Sequence, residues 1–353
     1  MKKIIIYLIL IVFVIAGILF FLSRVPAVQD ALFQRLAQTL ISTAPNVFPE
    51  EDSLSALVCG SKSPLPHPTR AETCVMIKAG DETFIFDVGN RSIDNLRNWR
   101  IPLDQLNAIF ISHLHSDHIA ELPEIHMWSW VGTDRQSKLK VYGPVGVNQV
   151  LRGFTEAFSL DWKYRNDHHG DKFAPLETAG FDGFEITDFT TPVYQSKGIK
   201  ISAFLVDHSP IDPSLAYKIE YKGRSIVLSG DTIYSEAVLE NSRNIDVLFH
   251  EAFHKGTLDM MYNALPENSS SRIALVDIQN YHTNTVEVAN LAKEANVGHL
   301  VYYHLIPAPR TNLVADIFTR GIDDILTNWT LSEDGTMVIL PVDSKEIIIT
   351  SIN

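Results

Sequence analysis

The stretch Ala108-Ile109-Phe110-Ile111-Ser112-His113-Leu114-His115-Ser116-Asp117-His118 decides the fold class of this chain. Its first half is an apolar run that reads as a buried strand. Its second half packs three imidazoles and a carboxylate into residues 113–118. Where a strand runs out into a loop, residues i and i+2 point the same way, so His113 and His115 are set to grip one cation. Asp117 and His118 lie past the bend, within reach of a second. A cluster of this kind at a strand end predicts a metal centre rather than a solvated polar loop.

Matching donors recur downstream. His208 closes the strand-like run from Ile199, Asp231 sits in Ser229-Gly230-Asp231-Thr232 directly after Ser225–Leu228, and His304 closes Val301–Tyr303. His282 precedes Thr283-Asn284-Thr285, where Asn284 and Glu287 have the spacing of a helix N-cap and its N3 acid. A helix N-terminus favours anions, so a protonated His282 there suits a phosphate or sulfate. Taken singly each residue is ordinary; together they complete a two-cation site. Mixed imidazole and carboxylate ligation suits two Zn2+ ions, with Mn2+ or Fe2+ as open alternatives. Two such ions about 3.5–4 Å apart share a hydroxide, because water bound to them drops to a pKa of about 7.

The motifs His-x-His-x-Asp-His (113–118), Ser-Gly-Asp-Thr (229–232), His-Glu-Ala (250–252), His-Thr-x-Thr (282–285) and Tyr-His-Leu (303–305) resemble the metallo-β-lactamase-fold superfamily. The likeness is to the branch that holds ribonuclease Z, zinc phosphodiesterases and a class of arylsulfatases, over about residues 55–345. It implies an α/β fold of the metallo-β-lactamase αββα sandwich type. It also implies one metal on His113, His115 and His208, the other on Asp117, His118 and His304, and Asp231 bridging both. Asp117, His282 and Glu251 become the catalytic candidates: His282 handles charge or a proton at the leaving group and Glu251 orients it. Asp87, in Phe-Asp-Val-Gly, matches a structural carboxylate beside the site. Ribonuclease Z normally carries a Gly- and Lys-rich arm between its counterparts of His208 and Asp231, whereas here Ile211–Leu228 is only a tight hairpin around Lys222-Gly223.

The chain has 353 residues, 46% of them hydrophobic, enough for one large domain or two small ones. Its net charge is −13, with no basic stripe. A protein that grips a polyanion through its phosphates normally shows a positive footprint, so nucleic acid is not expected as a partner. A small anionic ester is expected instead, and a homo-oligomer is left open. The leading expectation is thus a dinuclear metal-dependent hydrolase of phosphate or sulfate esters. The alternatives are a ribonuclease Z-like tRNA 3′-processing endoribonuclease, a lactonase (a class that often places a Tyr near its metals, a role that sequence does not assign to Tyr302 or Tyr303), and a non-catalytic membrane-tethered metal-binding protein, whose signature would be lost ligands.

Ile4–Leu22 is apolar without a charge, and its 19 residues span roughly 28 Å as a helix, close to the hydrocarbon thickness. The run exceeds a signal-peptide core and lacks a small-residue cleavage pattern, which favours an uncleaved anchor. Lys2 and Lys3 precede it, so the positive-inside rule places the N-terminus in the cytoplasm and the catalytic domain outside, periplasmic or extracellular. Residues 1–24 are therefore expected as a single-pass membrane anchor. Residues 25–52 read as an amphipathic helix (Ala31, Leu32, Leu36, Leu40) with the linker Ala44-Pro45-Asn46, and 53–353 as the hydrolase domain. Cys59 and Cys74 fall in strand-like segments and are either paired or buried free thiols. His250 is open between a supporting and a structural role. The run His126-Met127-Trp128-Ser129-Trp130 is a candidate pocket lining or core, and Asp161–Lys172, with His168-His169, a polar loop.

Overall fold

The computed structural model describes residues 2–42 and 47–352, with side chains 4–39 in the first segment. The chain separates into two compact units, residues 1–46 and 47–353. In the first, α1 (Lys2–Leu22) and α2 (Pro26–Ser42) are helical. Pro26 opens α2, where its missing N–H costs no hydrogen bond. α1 contains the one segment among the described residues long and apolar enough to cross a membrane. α2 leaves Leu32, Phe33 and Leu36 exposed; the side chain of Leu40 and the linker Ala44-Pro45-Asn46 lie outside the described residues.

The second unit begins with β1 (Ser53–Gly60), β2 (Cys74–Ala79), β3 (Glu82–Phe86), α3 (Ser92–Asn98) and β4 (Leu106–Phe110). α4 (Ser116–Ile119), α5 (Leu122–Trp130), β5 (Leu139–Gly143), α6 (Val147–His169) and β6 (Phe181–Glu185) follow. Then come β7 (Tyr194–Ser196), β8 (Ile199–His208), β9 (Ile211–Tyr221), β10 (Arg224–Leu228), α7 (Glu236–Asn241) and β11 (Val247–Phe253). The chain continues through α8 (Lys255–Ala264), α9 (Ser271–Tyr281), α10 (Thr285–Glu294), β12 (His299–Ile306) and α11 (Asn312–Phe318), and closes with β13 (Trp329–Leu331), β14 (Thr336–Pro341) and β15 (Ile348–Ser351).

These strands form two mixed sheets, one of eight strands in the order β15-β14-β1-β2-β3-β4-β5-β6 and one of seven in the order β13-β12-β11-β10-β9-β8-β7. Strand alternation decides what fills each layer, because successive side chains point to opposite faces. In β4 and just beyond it, Ala108 and Phe110 enter the core between the sheets, while Ile109 and Ile111 face helices with Leu122 and Ile125. β12 divides likewise: Val301 and Tyr303 point inward, Leu300 and Tyr302 toward Val288 and Leu291 of α10. Both faces are thus covered, which is why these segments read as unbroken apolar runs rather than alternating ones. Helices flank both outer faces.

Cys59 and Cys74 form a disulfide between neighbouring β1 and β2. The polar stretch 161–172 corrects the expectation of a loop: α6 runs through His169 and ends at Gly170, whose φ of 79° suits glycine. Arg165 bonds Asp161 at 2.8 Å and Lys163 pairs with Asp167, the i,i+4 spacing that supports an exposed polar helix. His126 and Trp130 belong to the core: Trp130 clusters with Trp162, and His126 stacks on Trp130 and packs at a tilt against Trp162. Burial pushes His126 down to about 3, and its neutral Nε2 accepts the Gly180 N–H at 2.7 Å. Trp128 is exposed, with the Arg97 guanidinium 3.5 Å over its ring.

Candidate metal centre

The sheets meet at one edge through two bonds. The N–H of Leu215 donates to the Ser112 carbonyl at 2.9 Å, and the Tyr217 hydroxyl to the Ile111 carbonyl at 2.6 Å. The ends of β4, β8, β10 and β12 therefore converge, and each carries candidate ligands. His113 and His115 follow β4, Asp117 and His118 sit in α4, His208 ends β8, Asp231 follows β10, and His304 lies near the end of β12. Two glycines permit this approach. A Cβ on Gly89 would meet the Asp117 carbonyl at 2.2 Å, and one on Gly230 (φ +58°) the Leu215 carbonyl at 2.4 Å.

The structure brings together all seven residues expected as ligands. The ligand atoms of His113, His115 and His208 lie within 4.8 Å of one another, as do those of Asp117, His118 and His304. Asp231 stands between the two groups. Its Oδ2 is 3.2 Å from His304 Nε2, 3.3 Å from His118 Nε2, and 3.9 Å from both His113 Nε2 and His208 Nε2. Asp117 Oδ2 lies 3.2 Å from His304 Nε2. All but His115 are buried. Among the described residues, His118 Nε2, His208 Nε2 and Asp231 Oδ1 have no hydrogen-bond partner. Buried polar atoms are rarely left so, and convergent orphaned nitrogens and a carboxylate oxygen fit a dinuclear metal site.

Groups behind the candidate ligands orient them. Asp87 Oδ2 accepts the His118 Nδ1–H at 2.9 Å and the Ser112 hydroxyl at 2.8 Å, while its Oδ1 accepts the Ser112 N–H at 2.8 Å. Ser112 Oγ in turn lies 3.1 Å from His113 Nδ1. His208 Nδ1 donates to the Tyr281 carbonyl at 2.8 Å. A carboxylate or carbonyl only accepts, so Nδ1 of His118 and of His208 carries the proton and Nε2 offers its lone pair to the centre. Asp87 (φ 58°) and His304 (φ 45°) both sit in the left-handed region, a local cost of the kind that gathers at functional sites. His304 is an unpaired bulge: β11 and β12 slip register there, with Tyr303 opposite Glu251 and Leu305 opposite Ala252.

Electrostatics follow from packing. Burial, reinforced by neighbouring imidazoles, holds His113 well below the ordinary histidine range, and burial also lowers His115 and His208. Burial opposes ionisation of Asp231 and Asp117, but the facing imidazoles outweigh it and hold both carboxyls below their usual range. His118 and His304 are raised: burial opposes their charge, and the surrounding carboxylates, Asp231 foremost, overcome it.

His282 closes α9, and its Nδ1 lies 3.2 Å from Glu251 Oε1, which also accepts the Thr283 N–H at 2.9 Å. The capping box of Asn284 and Glu287 is present at α10. The His282 ring stands 5.0 Å from that of His208 and 5.5 Å from that of His304, beside both ligand groups. Glu251 lies within β11, and His250 beside it donates to the Glu251 carbonyl at 2.7 Å, away from the ligand groups. Tyr302 and Tyr303 are committed elsewhere, the first donating to the Thr285 carbonyl at 2.8 Å and the second accepting the Gly230 N–H at 3.2 Å. Sequence reasoning missed Ser112 and Tyr281. Ser112 carried a signal, a hydroxyl between the strand and His113; for Tyr281 the contact is through its backbone and left none. Burial, with the charges of Asp277, Asp231 and Asp117, raises the Tyr281 phenol.

Residues 84–305 match the β-lactamase superfamily domain. The ribonuclease Z of Mycobacterium bovis strain BCG is 31% identical over 258 residues, covering 72% of this chain and 87% of that protein. The chain belongs to the metallo-β-lactamase superfamily. Among solved structures, a metallo-β-lactamase fold protein from Bacillus subtilis shares the fold with a TM-score of 0.60 and 19% identity, over 81% of this chain and 99% of the other. The short form of human tRNase Z has a TM-score of 0.57 and 19% identity, with the same coverage. The ribonuclease Z relatives overturn the expectation that nucleic acid is not a partner. The physical error lies in the charge argument: a net of −13 sums the whole surface, whereas divalent cations in such a site carry the positive charge that meets phosphate.

Two outcomes follow. Asp87→Asn frees His118 from its tautomer lock and weakens metal affinity about 10–100-fold, measured by competition with a chromogenic chelator. Because His118 and His304 are raised, the metal-free site holds protons that cations must displace. Metal loading at neutral pH therefore releases protons, and affinity falls as pH drops through the imidazole range; calorimetry in two buffers of different ionisation enthalpy reads both.

Proposed function

We propose that this protein is a dinuclear metal-dependent phosphodiesterase that cleaves RNA. The observation that carries the reading is the convergence of His113, His115, His208, Asp117, His118 and His304 around Asp231. The substrate class is supported by likeness to ribonuclease Z along most of that protein's length. In this reading His113, His115 and His208 would hold one ion and Asp117, His118 and His304 the other, with Asp231 available to both; the donor set favours zinc. When bound, the ions supply Lewis acidity that eases deprotonation of water and neutralises charge on the phosphoryl group.

The chain's own side chains handle the protons. Hydrolysis breaks one P–O bond, the attacking water loses a proton, and the leaving oxygen gains one. Asp117, held ionised, is the acceptor on the attacking side. Glu251 Oε1 lies 3.2 Å from His282 Nδ1, and in this reading it orients the imidazole so that Nε2 protonates the leaving oxygen. A second reading, hydrolysis of small phosphate or sulfate esters, is favoured by one observation. Only Ser209-Pro210 joins β8 to β9 and Lys222-Gly223 joins β9 to β10, so the interval that carries the arm in ribonuclease Z holds strands and tight turns here.

The purified protein should cleave an RNA oligonucleotide, lose activity to a chelator and regain it with zinc. Asp231→Ala should lose metal and turnover together. His282→Ala should keep its metal while kcat falls about 10²–10⁴-fold. Hydrolysis of aryl sulfates with RNA left intact would move the assignment to the second reading.

We further propose that residues 1–24 anchor the chain in a membrane, that 25–52 tether it, and that residues 53–353 act outside the cytoplasm. Support comes from Ile4–Leu22, with mean hydropathy 3.3 and no part of it buried in the protein, and from the Cys59–Cys74 disulfide, a bond that persists in oxidising compartments. Alkaline carbonate should leave the full chain in the membrane pellet, and a C-terminal alkaline phosphatase fusion should be active; extraction by carbonate counts against the anchor.

A further inference from the structure

Tyr281 is tied to the centre without being one of its candidate ligands. Its carbonyl accepts the Nδ1–H of His208 at 2.8 Å, so the residue moves only if that imidazole moves. Its ring makes an edge contact with His208 at 5.2 Å and 79°, and a tilted one with His282 at 4.7 Å and 52°. The ring also packs on the small apolar cluster of Phe253, Leu258, Leu275, Ile278 and Ile306, which keeps it from swinging away. Tyr281 is half-buried.

The hydroxyl is the unexplained part. Tyr194, Tyr217 and Tyr302 donate to Glu82, Ile111 and Thr285, and Tyr303 accepts from Gly230. The Tyr281 hydroxyl has no hydrogen-bond partner among the described residues. The hydroxyl is not fully buried, so it is open to solvent and free to donate to a bound group. Here the ring packs beside the His208 and His282 imidazoles, which themselves stand 5.0 Å apart, one in each half of the proposed chemistry.

We propose that Tyr281 is a substrate-contacting residue that donates its phenolic O–H to a non-bridging oxygen of the phosphodiester. The inference rests on the phosphodiesterase reading above, though not on RNA being the substrate. A fixed neutral donor at the His208–His282 side gains strength as charge builds on the phosphoryl oxygens, and no reorganisation is needed at the moment of reaction. Its ring touches both a candidate ligand and the proposed proton donor, and its phenol feels the charges of Asp231 and Asp117, so it stands on the side of the centre where a phosphate would be held.

The test is Tyr281→Phe in the full-length, metal-loaded protein, which keeps the ring and the backbone carbonyl. Three quantities are read: bound metal by atomic absorption, kcat/KM on bis(p-nitrophenyl) phosphate and on an RNA oligonucleotide, and binding of inorganic phosphate by calorimetry. The expected result is unchanged metal content, kcat/KM lowered about ten- to hundred-fold on every diester that the parent protein cleaves, and phosphate bound about tenfold more weakly. Wild-type kinetics or unchanged phosphate affinity in the variant overturns the inference, and so does loss of metal, which would make the residue a support for His208 alone. Parent activity on the aryl diester but not on RNA would remove the RNA assignment and leave this test intact. Activity on neither diester removes the phosphodiesterase reading, and this inference with it.

Discussion

Asp231 is a carboxylate withdrawn from water at the seam of two sheets, and the arrangement around it is the condition that has allowed it to stay charged there. An isolated buried carboxylate would take up a proton, because desolvation penalises its charged form by several kcal/mol or more. Here His118 and His304 lie 3.3 and 3.2 Å away, with His113 and His208 at 3.9 Å. The imidazoles in turn depend on the anion, since the same burial lowers His113 and His208 while the carboxylates raise His118 and His304. Remove the shared carboxylate and His113 and His208 lose the anion that faces them, leaving Asp117 and Asp87 to balance His118 and His304 alone.

Holding such a cluster requires precision in the layer behind it. Asp87 and Ser112 fix His118 and His113 from the first sheet, and Tyr281 fixes His208 from the helical side of the second. Glu251 gathers Thr283 and His282 into one corner. The backbone is bent to the purpose at Asp87 and His304, whose left-handed conformations are unfavourable for side-chain-bearing residues. The two sheets hold these positions because their shared core, with Phe86, Phe110 and Tyr217 in mutual ring contact, locks one sheet against the other.

The same principle separates useful histidines from bland ones. His126 is as buried as His118 and close to it in sequence, yet it is enclosed by Trp130 and Trp162; burial dominates there, the Arg135 charge adds to it, and Asp161 does not offset them. His168 and His169 end an exposed helix beside water. What distinguishes His118 is the pair of carboxylates that its fold neighbours supply, a relation invisible in a window of ten residues.

Local pattern by itself determined much of this protein. The apolar runs of β4, β10 and β12 and the ligands at their ends, the turn at Lys222-Gly223, the capping box at α10 and the apolar character of Ile4–Leu22 are properties of short segments, governed by side-chain period and backbone preference. The motifs carried the family, and with it the role of Asp87 behind the site. Tertiary structure decided the rest: the Cys59–Cys74 pairing, the burial of His126, the helical state of Asp161–His169 and the grip of the Tyr281 carbonyl on His208. The disulfide, the burial of His126 and the Tyr281–His208 bond depend on how one element lies against another, whereas the helix through His169 is held by its own i,i+4 pairs and by Trp162 packing on Trp130. Net charge misled for a related reason, since it counts side chains wherever they lie, while recognition depends on the charge gathered at one place.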